Sequence, residues 1–367
     1  MSPREALAKG WRSAFPVVSL CLIVALIVLV TMGGSEVLQR HVTEMLVNLV
    51  LVVGLYVFAG TSGVLSFGQM SFMAIGAYST AILTIPVVQK QFLLPDLPGF
   101  LADVHLSGIP AAVAAGGVAA VFAVFIGLVI CRLSGLAASL AMFAVLVIVH
   151  EVARNWDAVT RGSRTMIGVP VTVTPGVALG WALVVIVIAY LFQRSASGLR
   201  LRASREDEFA ARSIGVSIPR ERFGAFVLSG FIVGIGGYLY AQYQGAFTPN
   251  AFFTHITFIT IAMLVIGGTK SLSGAVVGAI VVSLLTNLFN SIEDGFTLGP
   301  ISFGGRDGLS DMALAAFILI ILALRPEGIT KGRELRWGRP AWPKRRRAAP
   351  PGDDALPAAA DDARPAA

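Results

Sequence analysis

The sequence predicts an all-α, polytopic integral membrane protein of about ten transmembrane helices, some of them short or broken. Three observations carry that expectation. The chain is 56 % hydrophobic with a mean hydropathy of +0.78. Charged residues make up 13 % of it, about half the ~25 % of a soluble domain. The apolar residues fall in charge-free runs suited to ~30 Å of hydrocarbon, which takes ~20 residues of helix to cross. The net charge of +7 does not point to nucleic acid, because the basic residues gather at the chain ends and in one internal loop. Orientation in a bilayer puts them there.

Residues 1–12 form a short basic arm with Arg4, Lys9 and Arg12. Residues 13–35 carry no charge and no Ala-x-Ala-like cleavage site, so a span at 14–32 reads as a retained helix and not as a signal peptide. Residues 45–89 are charge-free, long enough for two spans. The break Gly60-Thr-Ser-Gly-Val-Leu-Ser-Phe-Gly68 divides them into 45–59 and 69–88. A loop with Pro95, Asp96, Pro98, Gly99 and Asp103 leads to a fourth span at 109–131 and, past Arg132, a fifth at 133–149. A polar segment, 151–175, precedes the sixth at 177–193. After the charged loop 194–222 come runs at 223–244, 256–268, 274–291 and 309–324. The second and last of these four are short, so each is tilted, broken or set in a thinned bilayer.

The domain plan is an N-terminal arm (1–12), a membrane domain (13–325) and a tail (326–367). The tail is basic over 331–347, where it can lie against anionic headgroups. Beyond that it is Ala, Pro and Asp, too poor in large apolar residues to fold. With the amino end inside and ten spans, 22 basic residues fall inside and 6 outside. That split places both termini and the 194–222 loop in the cytoplasm. Residues 75–84 resemble 277–286, either an internal duplication or a chance likeness of two small-residue-rich helices.

Catalytic and metal chemistry have no footing in the pattern. There is no Walker A sequence, HExxH, GxSxG or Cys/His cluster, and Cys21 and Cys131 lie in apolar runs as small core residues. Hence no catalytic residue, metal site or bound cofactor is expected. The membrane runs hold almost no ionisable groups, which proton-driven carriers bury at mid-depth. Glu151 with His150 and Arg154 reads as a surface cluster where a helix leaves the bilayer. Glycines such as Gly60, Gly76, Gly237, Gly267 and Gly278 allow close helix approach and broken backbone. Within a membrane, broken backbone persists only where protein or a water-filled cavity satisfies it, so a pathway is indicated. Asn48, Tyr56, Gln69, Ser71, Tyr78, Thr257 and Thr260 are the polar groups that either line that path or serve as interhelical glue.

The densest polar stretch is 194–222, where 11 of 29 residues are charged. It predicts a short helix over 205–214, about 15 Å long at ~1.5 Å per residue. Ser204 is the expected N-cap, with Asp207 completing a capping box and Arg205, Glu206 and Glu208 in the first turn. Arg212 stands in the last turn, and Gly215 can close the helix in the left-handed conformation. Phe209, Ala210, Ser213 and Ile214 fall on or beside one face. A loop between spans gains nothing from such a helix unless something docks on it.

The same stretch, Gly198-Leu-Arg-Leu-Arg-Ala-Ser-Arg-Glu-Asp-Glu-Phe-Ala-Ala-Arg-Ser-Ile-Gly215, resembles the LivM-type permease subunits of branched-chain amino-acid importers, which are ATP-binding-cassette systems. So do Gly234-Ile-Gly-Gly-Tyr-Leu-Tyr-Ala241, Gly63-Val-Leu-Ser-Phe-Gly-Gln-Met-Ser-Phe-Met-Ala-Ile-Gly-Ala-Tyr78, Gly267-Gly-Thr-Lys-Ser-Leu-Ser-Gly274 and Arg325-Pro-Glu-Gly328. The resemblance runs over 45–328. It departs at Lys270, where the family usually has glycine, at Ala275, where it has proline, and in the turn Arg161-Gly-Ser-Arg-Thr-Met-Ile-Gly168.

The resemblance implies that the 204–215 helix is the coupling helix, seated in a groove of cytoplasmic ATP-binding subunits that use the ATP. It also implies a second, homologous permease subunit, a periplasmic or lipid-anchored solute-binding protein, and a home in the bacterial inner membrane among its lipids. Relatives carry leucine-like amino acids, and others urea, amides or small aromatic acids. The competing readings are a stand-alone secondary carrier or channel, which the missing buried charges disfavour, and a scaffold or membrane enzyme, which lacks a catalytic set.

Overall fold

The computed structural model describes residues 3–293, 297–298, 301–302, 308–325, 328–330, 332 and 334. Its helices are joined by loops, with a two-residue antiparallel ladder, β1 (Thr297–Leu298) with β2 (Ile301–Ser302), and an isolated bridge between Met166 and Phe247. The first helix, α1, runs Pro3–Thr31 and takes in the basic arm from Pro3 onward. Ser35 caps α2 (Glu36–Leu55), accepting from the Leu38 N–H at 3.4 Å. A π-helical turn, Tyr56–Gly60, prolongs α2 to the glycine-rich break.

Beyond the break lie α3 (Met70–Thr84) and α4 (Val87–Leu93), bent from one another by 118°. The expected third span is therefore two pieces. Pro86 cannot continue α3, because it lacks the N–H and pushes Ile85 into an extended conformation. α5 (Gly99–Ala102) follows, and Lys90 of α4 is buried with its ammonium donating to the Val104 and Leu101 carbonyls.

The next helices are α6 (Ile109–Ile130), α7 (Gly135–Asn155), the short α8 (Asp157–Thr160) and α9 (Pro175–Arg194). Thr174 caps α9 and Pro175 opens it, both good N-terminal residues. Between α9 and the long α12 (Ile218–Gln244) the chain forms α10 (Ala196–Glu206) and α11 (Glu208–Ser213). A 3-10 turn, Pro249–Phe252, then leads into α13 (Thr254–Gly267), α14 (Leu272–Glu293) and α15 (Leu309–Leu324).

Among the described residues seven helices are long and apolar enough to cross a membrane, and the bent pair α3–α4, counted as one span, brings the number to eight. The 3-10 turn lengthens the run through α13 to 19 residues, so the expected eighth span is not short. Pro16–Thr31 and Met312–Ile321 are apolar but shorter.

The core forms around α12. Gly76 and Gly237 let α3 and α12 touch backbone to backbone. A Cβ on Gly76 would lie 2.2 Å from the Gly234 carbonyl oxygen, and one on Gly237 2.2 Å from that of Met73. Ser229 donates to the Gly54 carbonyl at 2.7 Å, tying α12 to α2. Phe226 stands edge-on to Phe58 and Phe72, with centroids 5.1 and 5.3 Å away.

Apolarity alone does not sort centre from rim. The most apolar window of α2 is 89 % buried and that of α7 only 28 %, at mean hydropathies of 2.1 and 2.2. The resembling decapeptides occupy matching places, each starting five residues after the first residue of its helix, α3 or α14.

The residues just past α15 fold back onto the α13–α14 turn. Ile329 donates its N–H to the Ile266 carbonyl at 2.8 Å, and Glu334 accepts from the Leu272 and Ser273 N–H groups at 3.1 and 3.4 Å. A carboxylate there completes the N-terminus of α14. The remaining tail, 335–367, lies outside the described residues.

Candidate functional site

Most of the candidate side chains expected from the sequence fall in two regions, one on α10 and α11 before α12 and one around α3 and the turn that follows α12. At the first, α10 and α11 form a tight pair. Ser195 caps α10 by accepting from the Gly198 N–H at 3.1 Å. Asp207 caps α11, accepting from the Ala210 N–H at 2.9 Å. This corrects the expected cap. Ser204 is buried inside α10 and donates to the Leu201 carbonyl at 2.8 Å, and Arg205 and Glu206 close α10 instead of opening the next helix.

The far end is as expected. Gly215 adopts φ +83°, Gly215 N–H bonds the Arg212 carbonyl at 3.0 Å, and Val216 N–H bonds that of Ala211 at 3.1 Å. That pair of bonds is a Schellman closure. Ala211 is buried, whereas Phe209 is 83 % and Ile214 77 % exposed, with Ala210 and Arg212 exposed beside them.

Ion pairs fix this surface to the bundle. Glu208 pairs with the buried Arg222, whose guanidinium also donates to the Leu133 carbonyl at 3.4 Å, and Arg212 lies 3.4 Å from Glu208. Glu221 accepts from Arg200 at 3.1 Å and from Ser197. Arg205 turns inward and donates to the Gly60 carbonyl at 2.5 Å, the last residue of the π turn. Its stem lies on Gly63, where φ is +76° and a Cβ would come within 2.6 Å of the Arg205 Cγ. Arg205 also pairs with Glu206 at 2.8 Å, and that hydrogen bond and charge hold the exposed Glu206 carboxyl below its usual range.

The second region collects part of the expected path. Gln69 and Ser71 are buried at the start of α3, and no polar atom of either side chain has a partner among the described residues. Tyr78 lies two turns on, also buried, with its ring edge-on to Phe247 and Phe252. Ser71 and Tyr78 line one small cavity. Thr257 and Thr260 do not; they turn their hydroxyls back to the Phe253 and Ile256 carbonyls at 2.8 and 2.6 Å. Thr260 also approaches the Met70 sulfur at 4.0 Å. Asn48 is half-buried on α2, and Tyr56 is buried in the π turn beside Gly60.

The cavity includes a residue that sequence reasoning placed on the surface. His150 is 7 % exposed and stacks on Phe253 at 4.1 Å between ring centroids. Glu151 and Arg154 are exposed and paired at 3.4 Å, so the surface cluster exists without His150. The missed signal is periodic: Ala138, Met142, Leu146 and His150 recur every fourth residue and form the buried stripe of α7. Among the described residues no three His, Cys, Asp or Glu side chains gather to hold a metal ion.

An apolar helical bundle with at least seven membrane-length helices among the described residues defines a multi-pass membrane protein. The chain belongs to the family described as branched-chain amino acid transport system / permease component, whose family model matches residues 38–324. Membership makes it a transport subunit and not an enzyme.

It is 25 % identical over 352 residues to the high-affinity branched-chain amino acid transport system permease protein LivM of Escherichia coli K12, covering 87 % of this chain and 75 % of that one. It is 33 % identical over 153 residues to the nucleoside ABC transporter permease protein NupC of Lactococcus lactis subsp. cremoris, covering 39 % and 44 %. It is 27 % identical over 164 residues to the autoinducer 2 import system permease protein LsrC of Klebsiella pneumoniae subsp. pneumoniae, covering 44 % and 47 %. No solved structure matches the chain.

Proposed function

We propose that this chain is the membrane permease subunit of an ATP-binding-cassette importer for branched-chain amino acids or related small amphipathic solutes. It pairs with a second, homologous permease in the bacterial inner membrane. Cytoplasmic ATP-binding subunits supply the energy, and a periplasmic or lipid-anchored binding protein delivers the solute. The shorter apolar helices Pro16–Thr31 and Met312–Ile321 bring the eight apolar spans to ten, with both termini cytoplasmic. The 22-to-6 distribution of basic residues supports that orientation. The choice of solute follows the relative that is similar over most of the chain; those named for a nucleoside and for autoinducer 2 match less than half of it.

The observation that carries the reading is the exposed pair Phe209 and Ile214 on a short helix closed at both ends and bolted down by Arg222. Apolar side chains that rigidly displayed fit a groove in a partner. In this reading α11 moves with the ATP-binding subunits. Arg205 carries the motion to the Gly60 carbonyl and the glycine-rich break, and so to α3 with Gln69, Ser71 and Tyr78.

Burying a side chain such as Phe209 is worth about 1.5–3 kcal/mol. Phe209→Asp removes that contact and puts a charge in the groove, without touching a span. The variant is expected to insert and accumulate, lose its ATP-binding subunits on purification and support no uptake. Ser217→Ala, outside the helix, is the control. Retention of those subunits with full uptake would remove α11 from the coupling role. Orientation is tested separately: single cysteines at Ser217 should resist impermeant thiol reagents in intact cells, and those at Pro98 and Thr172 should react.

A further inference from the structure

Between α3, α7 and the turn Pro249–Phe252 lies the small cavity named above, with room for about one water molecule. Three of the residues lining it are Ser71, Tyr78 and His150, none more than 7 % exposed. The Ser71 hydroxyl, the Tyr78 hydroxyl and the His150 Nδ1 have no hydrogen-bond partner among the described residues. Buried polar groups are paired as a rule, and three unpaired ones around one cavity indicate a group that enters from outside.

Their orientation is set in advance. Phe253 stacks on the His150 ring, and Phe247 and Phe252 stand edge-on to Tyr78, at 5.2 and 6.1 Å. The rest of the wall is apolar, from Ala74, Leu146 and Val149 among others, and among the described residues no carboxylate, Lys or Arg lines it.

Chemistry narrows the ligand. Two hydroxyls and an imidazole can each offer a proton, and an acceptor-rich planar group takes all three. Among the described residues no charged side chain lines the wall, so a carboxylate there is held by the three neutral donors alone, and an ammonium has no carboxylate to pair with. A carboxylate with a short aliphatic body matches the chemistry of both halves of the lining but is larger than the cavity.

A larger occupant needs the aromatic cover to move. Phe247, edge-on to the lining residues Tyr78 and Phe252, is tied back by a two-residue bridge: Met166 N–H bonds the Phe247 carbonyl at 2.8 Å, and Phe247 N–H bonds that of Met166 at 3.0 Å. We propose that Ser71, Tyr78 and His150 form a solute subsite that receives the carboxylate of a small aliphatic solute when the Met166–Phe247 bridge opens. The proposal rests on the importer reading for the existence of a solute path, and adds to it which groups hold which end of the solute.

The test uses the assembled transporter in liposomes, with its ATP-binding subunits and binding protein. The chain carries Ser71→Cys in a Cys21→Ala, Cys131→Ala background. Leucine is the probe and leucinamide, which lacks the carboxylate, its comparison. A small thiol reagent is expected to reach the introduced thiol in one nucleotide state, and leucine to slow that reaction while leucinamide does not. Adding Tyr78→Phe or His150→Gln should raise the leucine concentration for half-protection by roughly tenfold, the loss of one hydrogen bond to a charged group.

Failure to label in any nucleotide state would reduce the cavity to a structural water site. Equal protection by leucinamide would overturn the carboxylate assignment. Uptake of labelled leucine in the same liposomes separates the two readings. ATP-driven uptake without protection overturns the subsite alone, and absence of ATP-driven uptake overturns the importer reading.

Discussion

The two ends of α12 handle polar groups in opposite ways. Near Arg222, charges are paired within the chain: Glu208 with Arg222 and Arg212, Glu221 with Arg200, and Arg205 with Glu206 and the Gly60 carbonyl. Among those charges two large apolar side chains, Phe209 and Ile214, stand exposed. At the aromatic end the rings pack on one another, and what is left unpaired is polar: Ser71, Tyr78 and His150. A surface that must bind a partner subunit strongly and keep its shape exposes apolar anchors on a rigid frame. A site that must take up and release a small polar group keeps buried donors without internal partners, at a cost in stability. The two ends are joined by the α3–α12 crossing and by Arg205.

Breaking the joint should have the largest effect. Gly237→Leu sets a side chain where the Met73 carbonyl oxygen would be 2.2 Å from its Cβ, and the backbone contact leaves nowhere to move. Both ends should fail together, seen as loss of the chain from the membrane fraction. Normal accumulation would show that the two ends do not depend on that crossing.

Arg205→Ala should rank second and separate the ends. It removes a hydrogen bond from a charged donor, worth about 1.5–3 kcal/mol, and leaves the Gly60 carbonyl without that partner. The exposed face of α11 is untouched. The expected result is ATP-binding subunits that still co-purify and hydrolyse ATP, with uptake down roughly tenfold or more. Loss of co-purification instead would make Arg205 a part of the docking surface and not a link to α3.

How much of this the sequence discloses depends on what each feature is made of. The break at Gly60–Gly68 and the closure at Gly215 are local, and each appears where its residues predict, whereas the charge-free run 69–88 is broken at Pro86. The cap of α11 does not. Ser204 and Asp207 are both good caps in sequence, and the choice between them falls to tertiary contacts, with Ser204 buried and Arg205 drawn 145 residues away in sequence to Gly60. The 3-10 turn that lengthens the eighth span is hidden for another reason: Pro249 and Asn250 read as loop, and only packing of Phe252 against Tyr78 and Tyr240 makes the turn part of the bundle. His150 was legible in the four-residue stripe of α7 but was outweighed by its charged neighbours. Which of several equally apolar helices is central was not legible, because α2 and α7 differ in neighbours and not in hydropathy.

A third change sharpens the docking end alone. Gly215→Val forces a β-branched residue to φ +83°, a strain of order 1–3 kcal/mol, with open space around the new side chain. The end of α11 should loosen while Phe209 remains available. Co-purification of the ATP-binding subunits should weaken more mildly than with Phe209→Asp, and milder purification should restore it. A loss as complete as that of Phe209→Asp would mean that the helix end itself, and not the Phe209 side chain, is what the partner grips.

The smallest effect belongs to Glu206, and it tests what Arg205 is for. Arg205 has two partners, the buried Gly60 carbonyl and the exposed Glu206 carboxylate. The hydrogen bond and charge of Arg205 lower the Glu206 carboxyl below its ordinary value of 4.5. A lowered value means that the pair's contribution is complete above the ordinary value and lost only as pH falls through the lowered one. Between about pH 6 and pH 8 it should therefore be constant. It should also be small, because an exposed pair is screened by solvent and salt. Glu206→Gln is expected to leave both uptake and co-purification within about twofold of the unaltered chain. Arg205→Ala, one residue away, should cost several times more. If the two substitutions were equally damaging, Arg205 would matter as the partner of Glu206. The contact with Gly60 would then not be what joins the paired end of α12 to the unpaired one.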